Sequence, residues 1–202
     1  MKIVIIGATG LVGGHIVSAL ENEHEVIRVG YKDGDYSVDI ADINSIKKMY
    51  QKIGNFDALV SATGLVEFGP LRELSQEQWK LGFDNKLLGQ INLVLEGLKH
   101  INDNGSFTLT SGIISQDPIR FGAAATTVNR GIEGFVASAA LEMTNGIRIN
   151  VVSPTLLEEA VENFGPYFKG FDPVPGRTVA LGFVKSVEGL KNGETIEVRG
   201  VV

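Results

Sequence analysis

The stretch Lys2 to Val17, KIVIIGATGLVGGHIV, constrains this chain more than any other. Ile3 to Ile6 is a continuous apolar run, the mark of a strand covered on both faces. Gly7, Gly10 and Gly13 follow at once, and Ile16, Val17 and Leu20 then recur at helical spacing. A strand that stops on glycine and restarts as a helix leaves the first N–H groups of that helix without partners. Those groups point at whatever sits above the turn, which makes the turn an anion site. The glycines divide the work: one permits the tight turn, one lets a pyrophosphate approach the backbone, and one lets the helix pack closely on the strand. With a buried strand before it and a helix after it, the triplet has the context of a dinucleotide-binding turn. The other reading is an α/β domain whose first turn is glycine-rich for packing only.

Composition narrows the partners. The 202 residues suffice for one full α/β domain with a sizeable core, so residues 1–202 are expected to form a single domain. Hydrophobic residues make up 44% and charged residues 21%, which fits an ordered globular chain. The formal charge is −6 and no Lys/Arg cluster is visible, so neither nucleic acid nor an anionic membrane is an expected partner. The absence of cysteine excludes disulfides, thiolate catalysis and cysteine-ligated metals. His15, His24 and His100 lie far apart and each reads as a solvated helix or turn residue, so no metal is expected. The first apolar run is too short to span a bilayer and lacks a cleavage pattern, and the chain reads as cytoplasmic.

Apolar runs and helical patterns alternate to the end. Strands are expected at Glu25 to Val29, Tyr36 to Ile40, Ala58 to Ser61, Gly105 to Leu109, Ile147 to Val152 and Thr195 to Val198. Asp42 or Asn44 can cap a helix over Ile43 to Ile53, and Ser75 with Gln78 forms a capping-box pattern before a helical region through Leu98. Thr127 to Met143 and Thr178 to Leu190 also have helical spacing. Strands separated by helices imply a Rossmann-type α/β fold: a doubly wound parallel sheet of about seven strands flanked by helices. Ligands in such sheets sit beyond the carboxyl ends of the strands.

At those ends the sequence resembles the short-chain dehydrogenase/reductase family over nearly its whole length. GATGLVG matches the family's glycine-rich turn, and VDIAD, Val38 to Asp42, its adenine-contacting segment, with Asp39 as the contacting acid. SATG, Ser61 to Gly64, stands where the family has Asn-Asn-Ala-Gly beside the cofactor. Asn85 takes the place of its helix-four Asn, Ser111 in LTSG that of its catalytic Ser, and INVVSP leads to the usual Pro, here Pro154. The ending NGETIEVRG is similar to the family's last strand. The resemblance implies a cofactor site of Gly7, Thr9, Gly10, Leu11, Val12 and Gly13 at the turn, with Tyr31, Lys32, Asp39, Ile40, Ala62, Thr63, Gly64, Asn129 and Pro154 around it. It also implies Ser111 and Asn85 as catalytic residues, and a homodimer or homotetramer paired through the helices near Gln76–Leu98 and Thr127–Met143.

The departure is at the chemistry. The family's proton donor is a Tyr, with a Lys four residues later that lowers its pKa and binds the nicotinamide ribose. Aligning Ile132-Glu133-Gly134-Phe135 with the segment that follows puts Ala125 at the Tyr position and Asn129 at the Lys position. A methyl transfers no proton, and an amide supplies no charge. Thr126, Thr127 and Arg130 are poor acids, and Tyr167, in the lid-like segment NFGPYFKGF, is a substitute or a packing residue. Ser111 is a catalytic hydroxyl or a strand-end group bound to local backbone. Asn85 is a catalytic residue or one that satisfies a break in its helix. For the cofactor, Lys32 would attract a 2′-phosphate and Tyr31 would stack on adenine, favouring NADP, while Asp33 keeps NAD open. Two functions follow: a hydride-transferring oxidoreductase acting on a small carbonyl or alcohol through a degenerate site, or a dinucleotide-binding sensor without turnover.

Overall fold

The computed structural model describes residues 1–201. Seven strands form one sheet: β1 (Lys2–Ile6), β2 (Glu25–Gly30), β3 (Tyr36–Ser37), β4 (Phe56–Ser61), β5 (Ile101–Thr110), β6 (Arg148–Pro154) and β7 (Thr195–Val198). Their order is β3-β2-β1-β4-β5-β6-β7 and every pairing is parallel. The intervening helices are α1 (Leu11–Leu20), α2 (Ile43–Ile53), α3 (Gln76–Leu81), α4 (Leu88–Gly97), α5 (Ala123–Ala139), α6 (Val161–Phe164) and α7 (Gly176–Glu188).

The continuous apolar run of β1 is explained by what covers it. Val4 and Ile6 face a core shared with Ile46 and Met49 of α2, Leu93 of α4, and Val128 and Ile132 of α5. Ile3 and Ile5 face the opposite core, with Ile16 and Leu20 of α1 and Val179 and Phe183 of α7. Alternate residues therefore serve two layers, and strand order turns about β1, which has β2 on one side and β4 on the other. That switch point opens a crevice above the carboxyl ends of the strands.

Local chemistry sets the element ends. Asp42 caps α2 by accepting the Asn44 N–H at 2.8 Å. Ser75 and Gln78 form a reciprocal capping box at the start of α3.

Several boundaries differ from the sequence expectation: β5 starts at Ile101, four residues before Gly105, β4 starts at Phe56 and α7 at Gly176, each two residues early, and three further differences have a visible cause. β3 pairs only through Tyr36 and Ser37, although Val38 and Ile40 beyond it remain buried; they pack without extending the ladder. α5 runs from Ala123 to Ala139, four residues earlier than its apolar spacing suggests at each end, because small Ala124 and Ala125 are buried at its start. The helical region ending near Leu98 is interrupted by a π-helical turn, Gly82–Leu87, between α3 and α4. The histidines are not simply solvated: His15 pairs with Glu159 at 3.1 Å, His24 with Glu188 at 3.0 Å, and His100 stacks on Tyr50. Among the described residues, no helix is long and apolar enough to cross a membrane, and no group of three or more His, Asp or Glu is placed to hold a metal ion.

Candidate functional site

The chain leaves β1 through Gly7, whose φ of +82° favours glycine, and enters α1 at Gly10, which offers no side-chain cap to the helix. The amides of Leu11, Val12 and Gly13 are therefore the uncapped first turn of a ten-residue helix. Gly13 lies so close to the turn that a Cβ there would collide with the Gly7 carbonyl, and a Cβ at Gly7 would collide with the Ala62 carbonyl after β4. The turn is thus bare backbone, held by Gly7 and Ala8 N–H groups donating to the Val29 carbonyl at 2.8 and 3.1 Å. A diphosphate fits such a cradle because the donors point outward and the macrodipole favours negative charge.

Beside the turn is a cavity of ≈ 440 Å³ lined by Gly7, Tyr31, Asp39, Ile40, Thr63, Gly64 and Asn85, among others. Most residues assigned from sequence to the adenosine end of the cofactor thus meet in one space. Thr9 completes it: a Cβ on Gly30 would lie 2.9 Å from the Thr9 hydroxyl oxygen. Lys32 is placed apart, in a neighbouring cavity with Lys48 and Lys52. Asn85 also lies on this side, its Oδ1 accepting the Leu65 N–H at 2.8 Å. It is not in the space around Ser111, and the backbone it satisfies belongs to the loop after β4, not to its own helix.

Across the carboxyl ends of β5 and β6 is a second cavity, ≈ 150 Å³, bordered by Lys86, Ser111, Gly112, Ala125, Asn129 and Pro154, with Phe68 and Phe168 as part of its apolar wall. Ala125 is fully buried and brings a methyl, as the alignment implies. Lys86 was not singled out from the sequence. It is 8% exposed, and its ammonium donates to the Ser111 carbonyl at 3.0 Å and to Asn129 Oδ1 at 2.8 Å. Burial pushes its pKa down to about 8, and the Glu133 charge works in the opposite direction. The available signal was register: Lys86 lies three residues before the buried Gly89, on the inward stripe that continues through Leu93.

Ser111 neither caps backbone nor offers a free proton. Its hydroxyl donates to Glu133 Oε1 at 2.9 Å. The same carboxylate oxygen accepts from Ser115 Oγ and, at 2.9 Å, from Gln116 Nε2, while Arg130 approaches the other oxygen at 3.4 Å. Glu133 is thus a buried, fully ligated carboxylate. The remaining candidates are occupied elsewhere. Thr126 donates to the Ile114 carbonyl and Thr127 to the Ala123 carbonyl. Tyr167 packs on Phe68 and Phe121 and borders a different, outer cavity, so it serves as packing.

A family model described as enoyl-(acyl carrier protein) reductase matches residues 15–179. A curated, uncharacterized oxidoreductase of Methylorubrum extorquens is 23% identical over 98% of this chain and 87% of its own length. Other curated relatives are spanned over only about half of their own length. Among solved structures, the protein lin1944 from Listeria innocua is 51% identical, with a TM-score of 0.96 over 98% of this chain and 99% of that one. A small-chain dehydrogenase in complex with NADPH is 24% identical, with a TM-score of 0.89 over 98% of this chain and 96% of that one, and so shares the fold.

Proposed function

This chain belongs to the short-chain dehydrogenase/reductase family, and from that premise we propose that it binds NADP(H) and reduces a small carbonyl compound, or oxidises the corresponding alcohol. The observation that carries the reading is the set of uncapped α1 amides with two cavities beyond the carboxyl ends of the strands. The amides of Leu11, Val12 and Gly13 hold the diphosphate. Tyr31, Asp39, Ile40, Thr63 and Gly64 enclose the adenosine half, and Lys32 favours a 2′-phosphate from the adjoining cationic cavity. Asn129 and Pro154 border the other half, leaving the space among Ser111, Ala125 and Phe168 for a small substrate. When bound, the dinucleotide supplies or accepts a hydride there. The fold neighbour solved with NADPH is in keeping with this cofactor.

The test is a titration with NADPH, NADP, NADH and NAD, followed by absorbance assays of NADPH consumption with a panel of small aldehydes and ketones. Binding of the phosphorylated forms with turnover supports the reading. A second reading, a dinucleotide sensor, is favoured by Ala125 and by the Ser111 hydroxyl being committed to Glu133; tight binding without turnover would establish it. The reading includes self-association through α4 and α5, whose groove is lined by Val94, Leu98, Phe135 and Met143. Light scattering that returns a monomer mass would remove that part.

A further inference from the structure

Lys86 is built into the fold at some cost. A π-helical turn lifts residues 82–87 out of the α-helical register, a distortion that recurs at functional sites. The lysine stem then runs against Gly64, which has a φ of +128°; any Cβ there would collide with the Lys86 methylenes. At the end of the stem, the ammonium has only neutral partners, the Ser111 carbonyl and Asn129 Oδ1. Among the described residues no carboxylate lies within ion-pairing distance of it; Glu133 bonds the hydroxyl of Ser111, whose carbonyl the ammonium bonds. A buried lysine without an ion pair is rare, and a methionine would fill the same space without the charge. Two of its three N–H donors are engaged and the residue borders the small cavity.

We propose that Lys86 is the proton donor of this site, delivering a proton from its ammonium to the oxygen of a carbonyl substrate in the ≈ 150 Å³ cavity. This rests on the reductase reading above. The other groups bordering that space are weaker donors: Thr155 offers only an aliphatic hydroxyl, a far weaker acid than an ammonium, Ala125 has no proton to give, and Ser111 has given its hydrogen bond to Glu133, while Tyr167 faces the outer cavity. In the step, the carbonyl carbon accepts a hydride from the dihydronicotinamide and the C–O π pair moves to oxygen. The oxygen takes the proton as an N–H bond of Lys86 breaks. The products are the alcohol, the oxidised nicotinamide and a neutral amine, which recovers its proton from water. Asn129 and the Ser111 carbonyl hold the nitrogen in place throughout. An ammonium whose pKa lies at about 8 matches the acid strength that proton transfer at neutral pH requires. The ionisable group facing it from a packed element is Glu133, itself paired with Arg130.

The experiment compares wild type with Lys86→Met and Lys86→Arg. Thermal unfolding checks that each folds, and Lys86→Arg keeps a cation that holds its proton at neutral pH. The expected result is NADPH affinity close to wild type in both variants, with turnover lower by roughly 10²- to 10⁴-fold. Wild-type reduction falls as pH rises through about 8, and that limb is absent from both variants. Independently of activity, protein carrying ¹⁵N-lysine shows one side-chain resonance that titrates near 8 and is missing in Lys86→Met. Wild-type turnover in either variant, or a Lys86 resonance titrating in the ordinary lysine range, overturns the proposal alone. A wild type that binds no NADPH, or binds it and reduces no carbonyl, overturns the reductase reading and this inference with it.

Discussion

The two halves of the sheet's carboxyl edge are built by different means. Around β1 and β2 the site is made of backbone: Gly7 and Gly13 touch neighbouring peptide groups directly, and the donors are the amides of α1. Around β5 and β6 it is made of side chains brought from three elements, Lys86 from the π turn, Asn129 and Glu133 from α5, and Ser111 from the end of β5. At Gly7 and Gly13 this backbone site tolerates one residue type, because an added carbon meets a carbonyl. A side-chain site can draw the same charge from a different helix, provided the path is cleared, as Gly64 clears it for Lys86. The first kind keeps its sequence pattern; the second can keep its chemistry while losing the pattern.

The sharpest break of this contrast is at α1. Gly13→Ala forces a Cβ onto the Gly7 carbonyl and is expected to cost several kcal/mol of stability, about 3 or more, together with most of the NADPH affinity. Gly14→Ala, one residue on, meets nothing within 4 Å and should instead stabilise the helix by about 0.5–1 kcal/mol. Thermal unfolding and NADPH titration of the pair read both effects.

Next in size is the pH dependence of stability at Lys86. Its folded pKa is about 8 and its ordinary value 10.5, so between these the unfolded chain binds more protons and stability rises with pH. The rise is about 3 kcal/mol at about 1.4 kcal/mol per unit. Denaturant unfolding of wild type from pH 7 to 10.5 should show it, and Lys86→Met should lack that component. A smaller effect belongs to Lys32→Glu, expected to lower NADP affinity about tenfold, about 1.4 kcal/mol, with little change for NAD; equal affinities would remove Lys32 from the 2′-phosphate. Smallest is Asn85→Ala, which strips the Leu65 N–H of its acceptor and should cost about 1 kcal/mol of stability without changing kcat.

The backbone half was legible because its constraints are local. Glycines after a buried strand, the Asp42 cap and the Ser75 capping box each declare themselves within a few residues. Parallel order followed from alternation, and the ends of β1, β4 and β6 placed Gly7, Thr63 and Pro154 at the sheet edge. The side-chain half was legible only in part. Ser111, Ala125 and Asn129 do share one cavity, but the π-turn residue that borders it is Lys86 and not Asn85, and only the register of Lys86 with buried Gly89 and Leu93 hinted at that. Glu133 was read as part of an alignment landmark, whereas it accepts long-range hydrogen bonds from Ser111, Ser115 and Gln116 and so holds Ser111 in place. The edge strand β3 fell short because the ladder stops at Ser37 apart from the Val38 N–H, which donates to the Gly30 carbonyl at 2.9 Å, while Val38 and Ile40 are buried by packing on the core.

The central claim is that free amides after β1 hold a nicotinamide dinucleotide. Calorimetric titration of the folded wild-type protein with NADPH tests it most directly. The account predicts one saturable site per chain, weakened strongly by Gly13→Ala; no heat of binding up to millimolar NADPH or NADH, from protein shown to be folded, would contradict it.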